Sequence, residues 1–186
     1  MSQSHIILVR HGEASDGWDS HPDPGLSKKG CLQAKNTGKG LIDLIPHYQL
    51  CSSPKKRALE TMEIINNENR YPIKIDSHFT EIPSVNIHKE KKNDWLINIF
   101  TSPIEELPDT VKDWRNNLIH WLQNAEGNFI ITTHFMVINV LISSIINNNV
   151  ISYFHPDYAS RTEIFLKNGN LEQIILGDNK KTVINL

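Results

Sequence analysis

Cysteine is nearly missing from this chain, whose 186 residues include two, Cys31 and Cys51. They share no metal-type spacing, and an extracellular disulfide framework would need more of them, so a reduced, cytoplasmic setting is expected. A long apolar run is missing as well. The longest, FMVINVLISSII at 135–146, is well below the roughly 20 residues needed to span a bilayer. It predicts a buried helix and no membrane partner. The opening residues MSQSHIILVRHGE have no basic leader and too short an apolar run for a signal peptide. Neither sign of charge dominates: 19 basic against 21 acidic residues leave a formal net charge of −2. No basic stripe stands out, so no nucleic-acid partner is expected. No H-E-x-x-H motif or cysteine cluster predicts a metal. The TGKG at 37–40 lacks the flanking glycine and Ser/Thr of a nucleotide loop. No cofactor is expected.

What is present is an ordinary globular composition, 39% apolar and 22% charged, at a length that suits one domain over residues 1–186. HIILVR (5–10) is a continuous apolar run of strand length, as for a strand covered on both faces. In the segment LSKKGCLQAKNTGKGLIDLI, Ala34, Leu41 and Ile45 have helical spacing and Ser27 is placed as an N-cap. YQLCSSP (48–54) reads as a short strand. Ser53 as cap and Pro54 in the first turn then start a helix to about Asn66, with Ala58, Met62 and Ile65 on its apolar face. YPIKIDSHF predicts another strand. Residues 80–108 are polar and interrupted by Pro83, Pro103 and Pro108, and are expected to form an insertion with a short helix near Trp95. Val111, Trp114, Leu118 and Trp121 mark an amphipathic helix, NFIITT (128–133) a strand, and residues 161–178 a hairpin around Asn168-Gly169. The alternation predicts an α/β fold with a mostly parallel sheet and helices on both faces.

In such sheets, ligands bind beyond the carboxyl ends of the strands. Arg10 and His11 follow the first strand, Ser52-Ser53 leading to Arg57 the second, and His134 the strand before the apolar helix. Arginine forks match phosphate oxygens, and two can neutralise a phosphoryl dianion. The amides that open the helix after His134 are expected to add an anion site. A neutral imidazole can attack phosphorus, because nearby arginines disfavour its protonation. The leaving alkoxide then needs a general acid.

LVRHGEA, the D-x-x-L-S-x-x-G-x-x-Q-A pattern at 23–34, SSPKKRALET and ITTH together resemble the histidine phosphatase superfamily, the phosphoglycerate mutase-like group with the R-H-G signature. The resemblance spans almost the whole chain. It implies a three-layer α/β/α sandwich, a transient phosphohistidine at His11, and Arg10, Arg57 and His134 as the rest of the phosphate pocket. It also implies a glutamate acid after the third strand, for which Glu81 in HFTEIPS is the match; Asp16, Glu105 and Glu106 are alternatives. Trp18 and His21, in the loop after the signature, are expected to meet the leaving group. Glu13 is expected to orient the first loop. His5, His47, His78, His88, His120 and His155 are assigned surface or structural roles.

The sequence departs from the family pattern in places. Phe135 and Met136 stand where members commonly have a glycine after the second histidine, and a bulky residue there is expected to narrow the pocket. Ala14 and Gly17 replace the Ser/Thr and asparagine usual in the mutases, whose long insertion is also missing. The expected activity is a metal-independent phosphomonoester hydrolase acting on a small phosphorylated substrate. A mutase, a phosphohistidine phosphatase acting on a phosphoprotein, and a non-catalytic phospholigand-binding module are the alternatives.

Overall fold

Strand β1 (Gln3–Arg10) carries the run HIILVR, and its side chains divide between two cores. Ile6 and Leu8 pack on one side of the sheet, Ile7 and Val9 on the other, as the two-residue period of a strand requires. The computed structural model describes residues 3–16, 21–67, 70–84 and 87–184. The remaining strands are β2 (Gln49–Ser52), β3 (Ile73–Ile75), β4 (Phe129–Thr133), β5 (Arg161–Lys167) and β6 (Asn170–Ile175). The helices are α1 (Lys28–Lys39), α2 (Lys56–Ile65), α3 (Lys92–Thr101), α4 (Asp109–Gln123) and α5 (Phe135–Ile145).

The sheet order is β3-β2-β4-β1-β5-β6. Strands β3, β2, β4 and β1 run parallel, and the β5–β6 hairpin adds an antiparallel edge beside β1. Met62 and Ile65 of α2, with Leu41 and Ile45 after α1, cover one face. Val111, Leu118 and Leu122 of α4 and the apolar side of α5 cover the other. This is a mixed-sheet, three-layer α/β/α arrangement.

Three local expectations are revised. Helix α1 stops at Lys39 with Gly40 as its C-cap, short of Ile45. Gly38 and Gly40 weaken helix propagation there, and Pro46 cannot donate to it. Helix α2 starts at Lys56, with Lys55 rather than Ser53 at its N-cap position and no side-chain cap. Ser53 instead extends the β2–β4 ladder, its amide donating to Thr132 O at 3.0 Å. The third strand is only Ile73–Ile75, because Asp76 accepts the His78 amide and turns the chain into a 3-10 turn at Ser77–Phe79. The expected helix near Trp95 is α3, whose Leu96 and Ile99 bury into the α4–α5 side. The hairpin turns at Asn168 (φ 52°) and Gly169 (φ 76°), the two left-handed residues that a tight two-residue turn needs.

Candidate active site

The parallel register sets Arg10, the last residue of β1, beside Thr133, the last of β4. The next residues, His11 and His134, therefore meet at the carboxyl edge of the sheet. Their rings lie edge to face with centroids 5.2 Å apart, and both are buried. His11 Nδ1 lies 2.7 Å from the carbonyl oxygen of Gly12. A carbonyl only accepts, so the proton sits on Nδ1 and Nε2 keeps its lone pair. Burial, then the charges of Arg57 and Arg10, hold the His11 pKa well below the ordinary imidazole value. A neutral imidazole with an unprotonated Nε2 is the form able to attack phosphorus.

Arg57, in the first turn of α2, is buried, and its Nε donates to His11 Nε2 at 3.2 Å. Its NH1 lies 3.8 Å from Asp23 Oδ1, while the Asp23 carboxylate accepts the Lys56 amide at the start of α2. Asp23 thus holds the helix end that carries Arg57. Arg10 is tied on its outer side. NH1 donates to Pro156 O at 2.8 Å and to Thr182 Oγ1, and NH2 donates to Val183 O at 2.6 Å. Its guanidinium lies 4.2 Å from the Tyr158 ring centre and 5.4 Å from that of Phe135. Its Nε is buried without a partner among the described residues.

Glu81 is buried and accepts the Ile82 and Met136 amides, both at 3.1 Å. Burial pushes its pKa up to about 7, against the pull of the Ile82 amide, Arg57 and Arg10. This corrects the expectation that the amides opening α5 are free for a ligand: the Met136 amide already holds Glu81. Phe135 is buried beside the cluster. Its ring packs 5.7 Å from Phe100 and backs Arg10, so it serves as a buried wall behind the arginine. Gly12 is required by a close approach, but to protein: a Cβ there would lie 2.6 Å from Gly30 O.

The structure thus brings Arg10, His11, Arg57, Glu81 and His134 into one buried cluster. It does not bring His21 there; that side chain is exposed, and its Nδ1 accepts the Asp23 amide at 3.0 Å. Trp18 lies outside the described residues. Asp16, Glu105 and Glu106 are exposed. Glu13 staples the first loop to α1, accepting from Ser27 Oγ at 2.9 Å and Lys29 Nζ at 2.8 Å. His5 lies between Tyr48 and Glu163 and stacks on Phe165, away from the cluster. Sequence reasoning missed Ser53 and Tyr158 as neighbours of the cluster, and only the SSP motif drew notice to the serine. Among the described residues, no three His, Cys, Asp or Glu side chains are grouped to hold a metal, and no helix is long and apolar enough to cross a membrane.

A buried histidine flanked by two arginines and a second histidine thus stands at the carboxyl edge of a three-layer sheet. The chain belongs to the histidine phosphatase superfamily (branch 1), whose family model matches residues 6–178. It is similar to the serine/threonine-protein phosphatase Pgam5, mitochondrial, of Drosophila persimilis, being 46% identical over 68 residues, 36% of this chain and 24% of the fly protein. The match therefore spans about a quarter of that relative's length. Among solved structures, Bacillus stearothermophilus YhfR superimposes with a TM-score of 0.74 at 22% identity, covering 91% of this chain and 94% of that one. Entamoeba histolytica phosphoserine phosphatase in complex with 3-phosphoglyceric acid gives a TM-score of 0.72 at 17% identity, over 96% and 98% of the two chains. These two likenesses establish the phosphoglycerate mutase-like fold.

Proposed function

We propose that this chain is a phosphomonoester hydrolase that works through a phosphohistidine on His11. The observation that carries the reading is the His11 imidazole, buried, protonated on the Nδ1 that faces Gly12 O, with its Nε2 lone pair turned to the Arg57 Nε–H. In the first step Nε2 attacks phosphorus in line and the ester P–O bond breaks. Gly12 O accepts a hydrogen bond from the Nδ1–H of the positively charged imidazole that forms. Arg57 shifts its Nε–H from His11 to a phosphoryl oxygen, and Arg10 offers the Nε that has no partner among the described residues. Phosphoryl transfer asks mainly for such positioning and charge stabilisation.

Glu81, with a pKa pushed to about 7, is protonated often enough near neutrality to give its proton to the leaving oxygen. As the carboxylate it then takes a proton from water, which attacks phosphorus and breaks the P–N bond. Phosphate leaves, and both groups return to their starting forms. The two arginines supply the positive charge, so the reading needs no metal. It extends to residues 1–186 as a single domain with 80–108 as an insertion over one face. Unpaired Cys31 and Cys51 support a reduced, cytoplasmic setting.

The substrate in this reading is a small phosphomonoester. The likeness to the fly serine/threonine-protein phosphatases favours a phosphoprotein as the second reading. A panel of phosphomonoesters and phosphoserine peptides, assayed for phosphate release with wild type and His11→Ala, tests both. Acid-labile phosphate on quenched wild type and its loss in His11→Ala are expected. Undiminished turnover in His11→Ala, or no acid-labile phosphate at any time of quenching, overturns the mechanism.

A further inference from the structure

We infer that Ser53 is a positioning residue that locks His134 in the Nδ1–H tautomer, so that this imidazole meets the phosphoryl group as a hydrogen-bond donor. Ser53 is fully buried, and its amide bond to Thr132 O pins it at the end of β2. Its hydroxyl lies 2.7 Å from His134 Nε2. The same oxygen accepts the Lys55 amide at 3.3 Å. A hydroxyl has one proton, and Lys55 N–H can only donate. The oxygen's second lone pair could accept from an Nε2–H, but the buried Ser53 proton would then face no acceptor among the described residues and stay unpaired. The proton points to Nε2, which carries the lone pair that receives it.

In a neutral imidazole, a lone pair on Nε2 puts the proton on Nδ1. Burial, then Arg57 and His11, hold His134 in its neutral form. His134 Nδ1 is buried and has no partner among the described residues. His134 occupies the N-cap position of α5 but makes no side-chain cap bond, so the helix does not use this nitrogen. A buried N–H without an acceptor is costly, and a phosphoryl oxygen satisfies it. The opposite tautomer would present a bare lone pair to the oxygens of an anion. The outer partners thus give the two neighbouring rings opposite roles. Gly12 O draws the His11 proton to Nδ1 and leaves an acceptor nitrogen as nucleophile; Ser53 O–H donates a hydrogen bond to His134 Nε2 and leaves Nδ1–H as a donor.

This inference rests on the phosphatase reading for its purpose, but its test needs no turnover. Long-range proton–nitrogen NMR of histidine-labelled, phosphate-free wild type reads the tautomer directly. The expected pattern is a pyridine-like Nε2 and a protonated Nδ1 at His134. Ser53→Ala should mix the tautomers and lower kcat by about 10- to 100-fold, the usual loss when an outer partner of a site imidazole is removed. Ser53→Thr, which keeps the hydroxyl, should restore both. A protonated Nε2 at His134 in wild type overturns the inference. So does an intact Nδ1–H pattern in Ser53→Ala, whatever its turnover. If Ser53→Ala does not fold, the wild-type and Ser53→Thr spectra decide. A wild type inactive on every phosphomonoester, yet with the Nδ1–H pattern, fails the phosphatase reading and leaves the tautomer assignment standing.

Discussion

Arg57 donates its Nε–H to His11 Nε2 across 3.2 Å, the same lone pair that the proposed mechanism directs at phosphorus. In the proposed mechanism this guanidinium helps to keep the imidazole neutral and aimed, and then donates to the phosphoryl oxygens. Replacing it should do two things at once. Arg57→Ala should lower kcat by about 10²- to 10³-fold, the usual loss when one preorganised oxyanion donor is removed. Because its charge helps to hold the His11 pKa down, the same variant should also raise that pKa in an NMR titration. A His11 pKa that does not move would argue against this contact.

Glu81 makes a prediction about pH. As the general acid of the first step, with a pKa near 7, it is protonated below that value, so kcat/KM should fall as pH rises through it. Glu81→Gln should abolish that limb of the kcat/KM profile along with most of the activity. The sign for stability is the same. The folded pKa lies above the unfolded value of about 4.3, so the contribution is full below the unfolded value and is lost as pH rises through about 7. Glu81→Gln should therefore melt higher than wild type at pH 8, measured by thermal unfolding.

His11 and His134 act in the opposite direction. Both have pKa values held well below the ordinary 6.5, first by burial. Their neutral forms match the fold above pH 6.5, and stability should fall as the medium is acidified below it, because the unfolded chain takes up protons that the folded one refuses. The fall in Tm between pH 6.5 and 5 should be shallower in His11→Asn. An equal slope in both proteins would remove this burial argument.

Tyr158 should matter through Arg10. Its ring lies 4.2 Å from the guanidinium, and its hydroxyl donates to Val183 O at 2.9 Å. Tyr158→Leu should raise KM by roughly twofold to thirtyfold, the equivalent of ~0.5–2 kcal/mol of cation–π contact. Tyr158→Phe should stay close to wild type. Steady-state kinetics on the best phosphomonoester separates the two.

Gly30 tests the close packing of the first loop on α1. A Cβ at this position would sit 2.1 Å from the Glu13 carbonyl oxygen, backbone that cannot swing away. Gly30→Ala should cost about 1–3 kcal/mol by overpacking and displace the signature loop. Thermal unfolding and vanadate binding would both register it; a wild-type Tm would contradict the packing.

Much of this was legible from local pattern. The continuous run of β1 and the spacing of Ala58, Met62 and Ile65 are written within a few residues of chain, so the strand and helix they make follow from period alone. The residue types at the strand ends named the phosphate chemistry, and the strand order put them at one edge. The boundaries of α1 and α2 shifted because glycines and a ladder bond to Thr132 outweighed the local signals.

By itself, the sequence determined the alternation of strands and helices and the family, because both are carried by short-range order and by R-H-G, SSPKKRALET and ITTH in succession. Tertiary structure alone decided which carboxylate is buried. Glu81 differs from Glu105 and Glu106 only in its surroundings, and burial is what raises its pKa. It also decided the partners of Ser53, which a local reading makes a helix cap and the fold gives to His134, 81 residues away. Arg10 likewise meets Pro156, Thr182 and Val183 from the far end of the chain. Such contacts depend on which elements pack together, and no local period encodes that.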